Sequence, residues 1–270
     1  MLASQTREFL ALHVPGVPLL MPNPWDAGSA RVLASLGFRA LATTSSGFAA
    51  TLGRPDGNVS RDEALAHAAA IVAAADVPVS ADLENCFADN PVGVGATVRA
   101  AVAIGLAGCS IEDWSGAPDN RIYEMSAAAE RVAAAAEAAH GAAGLVLTAR
   151  AENFIKGNPD LDDTIARLWA YQAAGADVLY APGLREIADI RRVVEALDRP
   201  VNVLALPGMS SVTELAAAGV ARISVGGAFS HVAFGAVAMA GRELLEQGTY
   251  GFMEVARHGR SQEVVAFGGA

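Results

Sequence analysis

The chain has 270 residues, of which 53% are hydrophobic and 18% charged, with a formal net charge of −10. That size and composition exclude a disordered chain and suit one large α/β domain with a substantial core. With 29 acidic against 19 basic residues, the surface repels nucleic acid and anionic membranes, so any bound anion must be held by a few placed groups. Two cysteines, Cys86 and Cys109, exclude a disulfide scaffold or a Cys-rich zinc site. No apolar window approaches the roughly 18 residues of a membrane span, and the first residues lack a basic-then-apolar leader pattern. The expectation is a soluble, cytoplasmic protein.

Short apolar runs alternate with longer amphipathic or alanine-rich segments. In chain order the predicted strands cover residues 17–21, 40–44, 77–83, 108–112, 145–149, 177–181, 201–204 and 222–225. The helices that follow them are predicted over 26–36, 61–75, 91–104, 126–140, 161–174, 184–197, 211–218 and 228–247. Several of these helices run through a glycine straight into the next strand, as in LASLGFRAL and YQAAGADVLY, where glycine supplies the left-handed closing residue. Ser60 and Glu63 have capping-box spacing at a helix start.

Eight strand–helix units without a break in composition predict a single (β/α)8 barrel over 1–270. A doubly wound open sheet has the same local pattern, but MPNPWDAGSA after the first strand lacks the GxGxxG fingerprint of its dinucleotide-binding form. The segment 228–270 reads as a C-terminal helical extension that either closes the barrel or packs on a neighbouring subunit.

Barrel enzymes place their chemistry at the C-terminal ends of the strands. Collected there are Trp25 after strand one, Thr44–Ser45–Ser46 and Asp56 after strand two, and Asp82 and Glu84 at strand three. Glu112 ends strand four, and Arg150 with Asn153 follows strand five. Asp56, Asp82, Glu84 and Glu112 are hard oxygen donors of the kind Mg²⁺ or Mn²⁺ prefers. Arg150 ends an apolar strand, where it either pairs with Glu152 or Asp82 or clamps a substrate carboxylate or phosphonate. Hydroxyls and closely spaced amides in TTSSG suit a carboxylate or enolate oxygen, although such runs are commonly plain turns. Cys86 lies beside acidic residues that raise its pKa. The five histidines fall outside the predicted strand ends, and the single lysine, Lys156, follows strand five.

The segments NPWDAGSARVLASLGFRAL, TSSGFAATLGRPDG, VPVSADLENCF, GCSIEDW, LTARAENFIKG and GADVLYAPGL, in this order, resemble the isocitrate lyase/phosphoenolpyruvate mutase superfamily. The resemblance implies a (β/α)8 barrel, Mg²⁺, and chemistry on α-keto or 2-hydroxy acids through an enolate-type intermediate. It also implies a homo-oligomer, dimer or tetramer, whose subunits exchange the last helix. On the matching positions, Thr44, Ser45 and Ser46 would hold the pyruvoyl group; Trp25 and Asn153 join the candidate substrate-binding set from their places after strand ends. Asp56 matches the acid of the Gly-x-x-Asp turn, Asp82 the second acid of the metal-binding Asp-x-Asp, Glu112 the next metal-shell acid and Arg150 the substrate arginine.

Three positions depart from the pattern. Ser80 replaces the first Asp of Asp-x-Asp, leaving Glu84 as the candidate substitute. The loop EDWSGAPDNRIYEM lacks the Lys-Lys-Cys-Gly-His run of the isocitrate lyases, and Ala181 stands where the mutases have histidine. The expected activity is Mg²⁺-dependent cleavage of a C–C bond in a small carboxylate, by lysis or hydrolysis. The alternatives are a C–P bond enzyme of the same superfamily and a catalytically weak α-keto-acid-binding protein.

Overall fold

A computed structural model describes residues 2–116, 121–141 and 144–268. Eight strands alternate with helices along the chain. They are β1 (Leu19–Met21), β2 (Leu41–Ala42), β3 (Val79–Asp82), β4 (Gly108–Glu112), β5 (Val146–Arg150), β6 (Val178–Tyr180), β7 (Val201–Leu204) and β8 (Arg222–Ser224). The helices are α1 (Leu2–Ala11), α2 (Ala27–Ser35), α3 (Ser45–Thr51), α4 (Arg61–Ala74), α5 (Pro91–Ala103), α6 (Met125–Ala139), α7 (Leu161–Ala173), α8 (Ile187–Ala196), α9 (Val212–Ala217), α10 (Ala228–Arg242) and α11 (Met253–Phe267).

All strand pairs are parallel, in the order β1-β8-β7-β6-β5-β4-β3-β2, which is a (β/α)8 barrel with one seam between β1 and β2. The seam is bridged by Ala42 N–H donating to Pro22 O at 3.1 Å. Asn23 fastens it further: its amide donates to Thr43 O at 3.0 Å, and its Oδ1 accepts from Val225 and Gly226 N–H at 2.9 Å. One side chain thus ties β1, β2 and β8 together beneath the rim of the barrel.

Outward residues of the strands, among them Ala81, Ile111, Leu147 and Leu179, join the main core under the helices. Inward residues do not follow the usual barrel filling of bulky branched side chains. Phe9, Val146 and Val178 close the lower end, while Met21, paired in register with Ser224, lines the cavity above. Above them Ser80, Ser110, Thr148, Asn202 and Ser224 are small or polar and buried. Phe9 reaches this position from α1 because β4 begins with Gly108, where a Cβ would stand 2.6 Å from the phenyl ring.

The predicted strands and helices are all present, with strand ends shifted by at most two residues. Arg150 is the last residue of β5, the strand end expected for it. Two helices, α1 and α3, add to the expected set, and α11 falls within the helical segment expected over 228–270. TTSSG opens α3, because Thr44 Oγ1 caps it by accepting from Gly47 N–H. The N-terminal segment forms α1, and the apolar tail forms α11, which packs on α2 of the same chain. The expected long helix over 228–247 is α10 continued by a π-helical turn, Glu243–Gln247. Among the described residues, no helix is long and apolar enough to cross a membrane.

Candidate active site

The C-terminal end of the barrel opens on a cavity of about 220 Å³. Thr44, Ser45, Ser46, Asp56, Asp82 and Arg150, all expected site residues, line it. The loop after β2 reaches it by two ties to β3. Thr43 Oγ1 accepts from Asp82 N–H at 2.9 Å, and Ser45 N–H donates to Asp82 Oδ2 at 3.3 Å. Thr44 and Ser46 share a hydroxyl hydrogen bond of 3.1 Å.

Arg150 is paired three ways. Its Nη1 lies 2.9 Å from Asp82 Oδ1, its Nη2 3.1 Å from Glu112 and its Nε 2.8 Å from Glu152. Its guanidinium also faces the Tyr180 ring at 5.3 Å. Burial disfavours the charge of Arg150, but the three carboxylates outweigh it and hold the pKa above the usual range. The carboxylates respond in the opposite sense. Burial pushes Glu112 and Glu152 upward despite Arg150. Glu84 rises to about 7, chiefly by burial, with Asp82 and Asp56 adding repulsion.

Glu84 starts a tight turn. It and two following residues, Cys86 and Phe87, hold left-handed backbone angles, φ 50°, 58° and 54°, a conformation costly for non-glycine residues. Arg131 of α6 braces the turn by donating to the carbonyls of Asn85 (2.6 Å) and Ala88 (2.8 Å). A second brace runs behind β5. Asp113 accepts from Glu152 N–H at 2.9 Å, from Tyr171 Oη at 2.6 Å and from Arg167 at 3.3 Å, which fixes the residue that grips Arg150. Cys86 is fully buried and its thiol is pushed up to about 12, by burial first and by the acidic neighbours only secondarily.

Not every expected site residue reaches the cavity. Glu112 lies behind Arg150, and Glu84 lines a smaller adjoining space with His67. Trp25 is held away from the lining, its carbonyl bonded to His67 Nε2 at 2.9 Å. Asn153 is completely buried and donates to Asp163 of α7. Residues 117–120 of the loop after β4 lie outside the described residues. Arg222, on the floor of the cavity, is a site residue that strand-end position does not single out, because it opens a strand. The available signal was a charge opening the apolar run RISV.

Residues 9–245 match the phosphoenolpyruvate phosphomutase family. The chain belongs to the isocitrate lyase/phosphoenolpyruvate mutase superfamily. A crystal structure from Burkholderia cenocepacia J2315 superposes with a TM-score of 0.90 at 50% identity, covering 94% of this chain and 92% of that one. An uncharacterized protein of Mycobacterium tuberculosis is 31% identical over 81% of each chain. The 2,3-dimethylmalate lyase of Eubacterium barkeri is 30% identical over 72% of this chain and 68% of its own. The superfamily comprises lyases and mutases that act on carboxylates, and this chain is an enzyme of that kind.

Its superfamily relatives are generally dependent on a divalent metal. Among the described residues no three His, Cys, Asp or Glu side chains form a ready-made ion cage, because the carboxylates of Asp82 and Glu112 turn onto Arg150. The donor set nevertheless fits such an ion. Asp82, Glu84, Glu112 and Glu152 are hard oxygen ligands, and the Arg150 guanidinium with the Lys156 ammonium nearby does not balance the four. Burial raises the pKa values of Glu84, Glu112 and Glu152, and repulsion among the neighbouring carboxylates adds to it.

Proposed function

We propose that the protein is a Mg²⁺- or Mn²⁺-dependent lyase or hydrolase that cleaves a C–C bond in an α-keto or 2-hydroxy carboxylic acid. The observation that carries this reading is the carboxylate set paired to Arg150, of which Asp82 lines one cavity together with Arg150 and the Thr44–Ser46 hydroxyls. Asp82 and Glu112, with Glu84, would hold the cation, which when bound polarises a keto oxygen as a Lewis acid. Arg150, at the same cavity, would offer its fork to a substrate carboxylate. Ser45, Ser46 and the amides of their loop bind the oxygen on which negative charge grows during cleavage. Asp56, at the mouth of the cavity, exchanges the proton with the enolate carbon.

The loop after β4 carries no Cys, Lys or His, which favours a second reading: a keto-acid-binding protein with weak turnover. One experiment separates the two. Purified protein with Mg²⁺ is offered oxaloacetate, methylisocitrate, 2,3-dimethylmalate and phosphonopyruvate, with products followed by NMR. Turnover of a C–C substrate supports the lyase, and release of phosphorus from phosphonopyruvate redirects it to C–P chemistry. Calorimetric binding without turnover selects the binding protein. Complete inertness, with Arg150→Ala behaving as wild type toward every ligand, sinks both readings.

The enzyme is further proposed to work as a homo-oligomer in the cytoplasm. The two buried thiols suit a reducing compartment. Val232, Phe234, Val237 and Met239 of α10 are exposed, an apolar face that a second copy would cover, with exchange of the C-terminal helices as the arrangement. Light scattering should show a dimer or tetramer, and Val237→Asp should shift it toward monomer.

A further inference from the structure

The cavity contains two buried arginines in opposite electrostatic situations. Arg150 is surrounded by carboxylates. Arg222, at the start of β8, has none: among the described residues no carboxylate lies within ion-pairing distance of it. Its partners are neutral. Nε donates to Asn202 Oδ1 at 2.9 Å, Nη2 to Thr148 Oγ1 at 3.0 Å and Nη1 to His13 Nε2 at 3.0 Å. His13 can accept there because its Nδ1–H is given to Phe9 O at 2.8 Å. Three of the five guanidinium N–H groups are thereby used, and the positive charge is left without a counter-ion.

An uncompensated buried guanidinium is expensive. The surrounding residues make sense if an anion joins it. Arg222 is only 3% exposed yet contributes to the cavity lining, together with Asn202, Ser224, Ser80 and Ser110. These small polar residues occupy the level of the barrel that branched apolar side chains normally fill, and they keep an open path from the rim to the guanidinium. Asn202 is itself fixed by donating to Ser224 Oγ at 3.0 Å, so Arg222 is held in one orientation from three sides.

We propose that the floor of the barrel, built on Arg222 with Asn202 and Ser224, is an anion subsite for one carboxylate of the substrate, and that the site therefore selects dianionic acids. The inference rests on the keto-acid reading above and deepens it. The cavity is divided by charge: the β3–β5 side is short of positive charge and suits a cation, and the β7–β8 side is short of negative charge and suits an anion. A substrate with two anionic ends satisfies the floor with one and the Arg150 fork, beside the Thr44–Ser46 rim, with the other. A monocarboxylate leaves one of them empty.

The test uses the full-length protein with Mg²⁺ and the probes malonate, succinate and acetate in calorimetry. The wild type should bind a dicarboxylate at least tenfold more tightly than acetate. Arg222→Gln should lose at least tenfold in dicarboxylate affinity while acetate affinity changes less than twofold, and Arg222→Lys should recover part of the loss. Equal loss for mono- and dicarboxylates, or no loss in a folded Arg222→Gln protein, assigns Arg222 a structural role and overturns the floor subsite alone. Absence of binding of any probe to the wild type overturns the keto-acid reading as well. Should Arg222→Gln fail to fold, a crystal of the wild type with malonate decides. Malonate oxygen within hydrogen-bonding distance of Arg222 supports the subsite, and malonate held only by Arg150 and the rim overturns it.

Discussion

Arg150 and Arg222 stand in one cavity and teach opposite lessons about buried charge. Arg150 sits at the rim with three carboxylates around it, and burial first, with repulsion from acidic neighbours after it, raises the carboxyl pKa values of Glu112 and Glu152. Arg222 sits at the floor among an amide, a hydroxyl and an imidazole, and burial lowers its own pKa to about 10. The same side chain is thus the centre of an acidic cluster in one place and the lone charge of a neutral polar cage in the other. What each region lacks indicates what it would bind: a cation at the rim, an anion at the floor.

The contrast can be broken most forcefully at Arg150. Arg150→Met leaves Asp82, Glu112 and Glu152 buried without a guanidinium, a loss expected to cost about 3–5 kcal/mol in denaturant unfolding. The matching Arg222→Met strands only neutral acceptors and should cost about 1–3 kcal/mol. Equal costs for the two would erase the distinction drawn between rim and floor.

The floor has its own pH signature through His13, whose folded pKa is lowered to about 3 by burial first and by the charge of Arg222 second. The unfolded chain, with an ordinary histidine pKa near 6.5, then binds more protons than the folded one between roughly pH 6.5 and pH 3. Stability is therefore full above about pH 6.5 and falls with acidification by up to about 1.4 kcal/mol per pH unit from this group. His13→Gln should remove that slope from the wild-type stability curve measured by urea unfolding at successive pH values. An unchanged slope would detach His13 from the floor cage.

A divalent ion sharpens the rim. Mg²⁺ or Mn²⁺ at a hundred times its dissociation constant should stabilise the wild type by about 2.7 kcal/mol, visible as a rise in melting temperature. Asp82→Asn should abolish the rise, whereas Arg222→Gln should retain it. The smallest effect belongs to the loop between the two regions. Thr44→Ala removes the cap of α3 and should cost about 1 kcal/mol. It should also weaken ligand binding by loosening Ser45 and Ser46, which a titration with malonate would register.

The barrel was legible because its determinants are local. Eight apolar runs alternate with helical segments, and glycines such as Gly37, Gly175 and Gly219 end helices at positive φ directly before strands. The rim was legible for a related reason: strand ends in a barrel converge, so Asp82, Glu112 and Arg150 could be grouped before any distance was known. Their neighbours were harder to place. Asn153 and Trp25 also follow strand ends, yet Asn153 turns outward onto Asp163 of α7 and Trp25 is held by its backbone to His67. Loop direction depends on tertiary packing that strand periodicity does not encode. TTSSG looked like a turn because hydroxyl residues are poor helix formers, and only the Thr44–Gly47 bond reveals it as the start of α3.

By itself the amino-acid sequence determined the repeating β/α architecture, the superfamily and the acidic cluster with its arginine. Each of these follows from hydrophobic periodicity or from residue types at recurring positions. The tertiary structure alone decided how charge is distributed within the cavity. That Arg150 is shared by three carboxylates depends on the register of β3, β4 and β5 and on the turn after β5 that brings Glu152 back. That Arg222 meets none, and instead meets His13 across 209 residues of chain, depends on α1 closing the lower end of the barrel. Coulomb interactions act over a few ångströms in space, so the environment of a charge belongs to the packed molecule and not to its place in the chain.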